Sequence, residues 1–94
     1  MPEATVLLRN ASGLHARPAK VFAKAASATS AQVLVEKGGR EVNAKSVLSV
    51  LTLDCHQGDE IVIRVTGDGA EETLAELVAL IEDGLGENQA EAEG

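Results

Sequence analysis

A chain of 94 residues with 45% hydrophobic side chains and a formal net charge of −7 has the size and make-up of one globular domain. About 60–70% of the unfolded surface can be buried at this length, so neither metal nor disulfide staples are needed. The single cysteine, Cys55, excludes an internal disulfide and points to the cytoplasm, and no apolar run reaches signal-peptide or membrane-spanning length. The acidic balance and the lone aromatic, Phe22, argue against nucleic acid as a partner.

In chain order, residues 4–8 read as a first strand, and Asn10 to Gly13 carries turn chemistry. From Ala16 to about Ala28 the pattern is helical, with Ala19, Phe22, Ala23 and Ala26 on the face that should meet a core. Val33 to Val35 is a short strand. Gly38-Gly39 then predicts a hairpin turn into a strand at Glu41-Val42. Ser46 can N-cap a short apolar segment ending near Leu53. Ile61 to Val65 alternates cleanly, with Ile61, Ile63 and Val65 on one face. A last helix spans about Ala70 to Glu82, its stripe formed by Leu74, Leu77, Val78, Ile81 and Leu85. Asp68 and Glu71 stand at capping-box spacing before it, and Gly84 and Gly86 are stop signals after it. Residues 1–86 form the expected domain, and 87–94 an acidic, disordered tail. The order βαββαβα suits an α+β fold with helices covering one face of an antiparallel sheet.

Charge is unevenly placed along the chain. Residues 1–50 hold seven of the eight basic side chains and three acids, whereas residues 51–94 hold twelve acids and one base, Arg64. A basic surface region on an acidic protein follows. On a helical wheel Arg17, Lys20 and Lys24 fall within about 60° of one another, and Lys45 is placed to extend that row.

His15 lies in Gly13-Leu14-His15-Ala16-Arg17-Pro18, where a turn meets a helix. A histidine near its ordinary pKa offers a neutral ring nitrogen as a nucleophile at neutral pH. A helix start supplies unpaired N–H groups and a positive dipole end for a phosphoryl group, and Arg17 can fork onto its oxygens. This set suits reversible phosphoryl transfer. The proline rule starts the helix at Pro18, whereas a capping His15 needs Ala16 and Arg17 to be helical already. His56, in the loop-like Asp54-Cys55-His56-Gln57-Gly58, has no arginine beside it and reads as structural or exposed. A Cys55/His56 pair falls short of the three or four ligands of a zinc site, so neither metal nor cofactor is expected.

Gly-Leu-His-Ala-Arg-Pro-Ala at 13–19 resembles the active-site signature of the HPr family, the histidine-containing phosphocarriers of the bacterial phosphoenolpyruvate-dependent sugar phosphotransferase system. Asn43-Ala44-Lys45-Ser46-Val47-Leu48-Ser49-Val50-Leu51 resembles the family's regulatory-serine motif, and Gly-Asp-Glu-Ile at 58–61 also agrees. The resemblance implies an open-faced β-sandwich with four antiparallel strands and three helices on one face. It implies that His15 takes phosphoryl on Nδ1 from phospho-enzyme I and hands it to the IIA component of a sugar permease, with Arg17 assisting. Such a protein is a relay and not an enzyme turning over a small molecule, and it has no need to self-associate. Ser46 becomes a candidate phosphoserine, implying an HPr kinase/phosphorylase and a transcriptional regulator as further partners. The family docks through the helix after Ser46, which makes Val47, Leu48 and Leu51 contact candidates beside Lys20, Lys24 and Lys45. Two alternatives share the fold: a specialised or nitrogen-related phosphotransfer carrier, and a mainly regulatory binding module. An RNA-binding βαββαβ domain conflicts with the charge and the missing aromatics.

Overall fold

A computed structural model of the chain describes residues 2–9 and 13–85. Residues 10–12 of the turn expected at 10–13, the stop signal at Gly86 and the tail lie outside the described residues. Among the described residues seven elements follow in the expected order: β1 (Glu3–Leu7), α1 (Ala16–Ser27), β2 (Gln32–Lys37), β3 (Arg40–Asn43), α2 (Val47–Leu51), β4 (Glu60–Thr66) and α3 (Ala70–Glu82). The strands form one antiparallel sheet in the order β1-β4-β2-β3. Its inner face supplies Val6, Val33, Val35, Ile61, Ile63 and Val65 to a core completed by the helices.

The β2–β3 turn follows from its two glycines. Gly38 and Gly39 both have positive φ, +59° and +88°, between the paired residues Lys37 and Arg40. That backbone closes a two-residue hairpin without splaying right-twisted strands. In α1 the residues Ala19, Phe22, Ala23 and Ala26 are all buried, and the three small side chains let the helix approach its neighbours closely. In α3 the buried side is Ala70, Thr73, Leu77 and Ile81, with Leu74 and Val78 packed at its margin. The Thr73 hydroxyl is satisfied by Thr29 Oγ1 at 3.2 Å.

Asp68 does not cap α3, as its spacing had suggested. Gly69 occupies the N-cap with φ +72°, and no side-chain cap bond forms. The left-handed turn at Gly69 moves the helix start one residue past Asp68, so its carboxylate is out of register with the first-turn amides. At the other end, Gly84 with φ +88° ends α3.

On the outer face of the sheet, the only base of the C-terminal half joins all four strands. From β4, Arg64 donates through Nε to Glu3 of β1 at 3.1 Å and through Nη1 to Glu36 of β2 and, at 2.6 Å, to Glu41 of β3. Hydrogen bonds to Glu36, Glu41 and Glu3 hold its guanidinium well above the usual value. Without Arg64 the three carboxylates would face one another across the sheet.

Candidate functional site at the start of α1

His15 occupies the N-cap of α1, with extended backbone (φ −117°, ψ 157°) and no side-chain cap bond. Ala16 and Arg17 are already helical, and Pro18 is accommodated in the first turn, buried beneath it. The two openings for the helix start are thereby decided: the helix begins two residues before the proline. Burial of Pro18, Ala19 and Phe22 against the core outweighs the mild disfavour for helical backbone before proline.

The ring of His15 is held from across the chain. Its Nε2 lies 2.9 Å from Asp54 Oδ1, in the loop between α2 and β4. The hydrogen bond with His15, and then the charge of His56, hold the Asp54 carboxyl below its ordinary value. The carboxylate is therefore ionised near neutral pH and must accept, so Nε2 carries the proton and donates. In the neutral ring Nδ1 is then the unprotonated nitrogen.

Backbone contacts fix this pairing in place. The Leu14 N–H donates to the Cys55 carbonyl at 3.1 Å. Gly13 has φ +57°, and a Cβ there would lie 2.4 Å from the Cys55 oxygen and 2.7 Å from His56 Cα. Only glycine allows the turn before His15 to sit so close to the loop. Asp54 itself is left-handed, φ +54°, a conformation that aspartate tolerates better than most residues. Lys37, at the end of β2, braces the loop from below: its ammonium donates to the Asp54 carbonyl at 2.7 Å and pairs with Asp59 at 3.0 Å. The Asp59 carboxyl, which accepts the His56 N–H at 2.8 Å, is lowered first by that bond and then by Lys37. Cys55 turns inward to the core, and burial pushes its thiol up to about 11. His56 points outward, with its ring centroid 4.9 Å from that of His15 and its Nε2 3.4 Å from Asp54 Oδ1. His15, Asp54 and His56 thus bring nitrogen and oxygen donor atoms within 4.8 Å of one another.

Arg17, Lys20 and Lys24 are exposed along α1. Lys45 is half-buried, and its ammonium donates to the Thr29 carbonyl at 2.8 Å, bracing the entry to α2 against the end of α1. Ser46 is the N-cap of α2 and accepts from the Ser49 N–H at 3.3 Å. Leu48 is 77% exposed, Val47 and Leu51 are half-buried, and Val50 alone of this helix is fully buried. Sequence reasoning singled out His15 and Arg17 from a local motif but did not single out Asp54 and Lys37, which hold the loop beside His15. The only sequence signal for Asp54 was an acidic residue tolerant of left-handed backbone next to a glycine-containing loop.

A family model described as the PTS HPr component phosphorylation site matches residues 2–83. The chain belongs to the HPr family. It is 46% identical over 88 residues to the phosphocarrier protein HPr of Streptomyces coelicolor, covering 93% of this chain and 95% of that protein. The crystal structure of HPr from Thermoanaerobacter tengcongensis matches with a TM-score of 0.89 at 43% identity, over 92% of this chain and 97% of that one. The HPr-like protein Crh of Bacillus subtilis is 34% identical over 83 residues, 88% of this chain and 98% of that protein. The open-faced sandwich is the fold of these relatives, and the family is that of the phosphotransferase-system phosphocarriers. Among the described residues no helix is long and apolar enough to cross a membrane.

Proposed function

We propose that His15 is the phosphoryl acceptor of a cytoplasmic relay, charged by phospho-enzyme I and discharged to IIA components of sugar permeases. The observation that carries this reading is the 2.9 Å contact of His15 Nε2 with Asp54 at the first turn of α1. With the proton held on Nε2, the Nδ1 lone pair attacks phosphorus while the bond to the donor breaks on the far side. Phosphoryl moves to Nδ1, and Nε2–H stays on the carboxylate. The chain contributes positioning and charge. Two first-turn amides, of Ala16 and Arg17, lie beyond the reach of intrahelical bonding, no acid occupies that turn, and Arg17 is exposed beside them. All three are suited to phosphoryl oxygens. Lys20, Lys24 and Leu48 provide the exposed part of a docking surface, with Lys45, Val47 and Leu51 at its margin. Ser46 is the regulatory phosphorylation site in this reading, and residues 1–86 are the functional domain.

Incubation with enzyme I and labelled phosphoenolpyruvate should place acid-labile, base-stable label on the protein. His15→Ala should abolish it, and His56→Ala should not. Label surviving in His15→Ala would overturn the assignment.

A further inference from the structure

We propose that His15, Asp54 and His56 form a binding site for a divalent transition-metal ion of the zinc class, and that its occupancy excludes phosphoryl transfer. The binding claim stands on geometry alone, whereas its consequence rests on His15 Nδ1 being the acceptor.

Two imidazoles and one carboxylate are a donor set that zinc takes with a fourth, open position. With metal–ligand bonds of about 2.0–2.1 Å, the edges of a zinc tetrahedron measure about 3.3 Å. Two edges are already close to that value: His15 Nε2 to Asp54 Oδ1 is 2.9 Å, and His56 Nε2 to the same oxygen is 3.4 Å. The donor atoms of all three residues fall within 4.8 Å of one another. An ion can therefore enter by small rotations of the half-buried His15 and the exposed Asp54 and His56, whose relative accessibilities are 34%, 71% and 60%. The backbone beneath is braced by the Leu14–Cys55 bond and by Lys37, so little ordering is required. Lys37 neutralises Asp59 and leaves Asp54 as the anionic ligand. Asp59 Oδ2, 3.7 Å from His56 Nδ1, stands where outer-shell carboxylates orient a ligating histidine.

Exclusion follows from the bookkeeping of one proton. In the metal-free ring the proton is on Nε2, facing Asp54, and Nδ1 is unprotonated. An ion at Nε2 takes that lone pair, so a neutral ring must carry its proton on Nδ1. The nitrogen that would attack phosphorus is then blocked, and the ion lies on the face a partner must approach.

Zinc titrated into the metal-free protein should bind with one-to-one stoichiometry in calorimetry, and the imidazole resonances of His15 and His56 should move together. His56→Gln and, independently, Asp54→Asn should each weaken binding at least about tenfold. Saturating zinc should slow phosphorylation of His15 at least about tenfold, and His56→Gln should transfer normally at the same zinc concentration. Zinc binding unchanged in His56→Gln, no saturable one-to-one binding, or full transfer by the zinc-saturated protein would each overturn the inference. Failure of the metal-free protein to accept phosphoryl would instead overturn the proposed function, with calorimetry still deciding the metal site.

Discussion

Gly13 shows how much one missing methyl group contributes to the site. A Cβ there meets backbone atoms of Cys55 and His56, not the yielding tip of a side chain, and the left-handed φ adds strain of about 1–2 kcal/mol. Overpacking of this kind costs about 1–3 kcal/mol. Gly13→Ala should therefore lower unfolding free energy by about 2–5 kcal/mol in urea denaturation. It should also separate His15 from Asp54 and cut the transfer rate. Gly58 is the internal control, because it too has positive φ but nothing lies within 4 Å of a Cβ built there. Gly58→Ala should cost only the strain, about 1–2 kcal/mol. Equal losses in the two variants would show that the close approach at Gly13 does not matter. His15 and Arg17 could be singled out as candidates in the sequence because the motif that carries them is local. Asp54 was not, because 39 residues separate it from His15 and only the docking of two loops brings them together.

Elements whose apolar spacing matches one dominant period were readable with little error. β4 alternates, the β2–β3 hairpin carries both glycines its turn requires, and α3 runs between the residues its stripe implied. The misreading at Asp68 arose because capping-box spacing says nothing about the backbone handedness of Gly69. α2 was hard to bound for a different reason. Its five residues are too few to show a helical period, and a helix that short has little cooperativity of its own. Its cap therefore matters more than in a longer helix. Ser46→Ala removes the acceptor for the Ser49 N–H and should cost about 1 kcal/mol. Native-state hydrogen exchange should show the loss concentrated in α2, with amides of β4 exchanging only through global unfolding as before. Uniform acceleration across the sheet would mean that α2 does not open on its own.

Across the whole molecule, the helical layer divides its charge by helix. Arg17, Lys20 and Lys24 are exposed on α1, whereas Glu71, Glu72, Glu76 and Glu82 are exposed on α3, which packs beside it. The outer sheet face is separate from this division, because Arg64 is committed to Glu3, Glu36 and Glu41. The uneven distribution read along the sequence thus becomes a real separation in space. It gives an acidic chain, −7 overall, a row of exposed cations along α1 that begins two residues after His15. In the relay proposed above, net repulsion from acidic partners at long range would coexist with attraction at the face carrying Lys20 and Lys24. The near field dominates once the separation is comparable with the Debye length, about 10 Å at 0.1 M salt. The second-order rate constant for transfer should therefore fall as ionic strength rises through the range where that length shrinks to about 3 Å, by about tenfold or more. Lys20→Ala combined with Lys24→Ala should lower the rate at low salt and flatten its dependence, with variant and parent converging at high salt. Because both lysines stand exposed farther along α1 than His15, the single-turnover rate within a preformed complex should stay unchanged. A salt-independent parent, or variants that stay slower at high salt, would place these lysines in contact chemistry and not in steering.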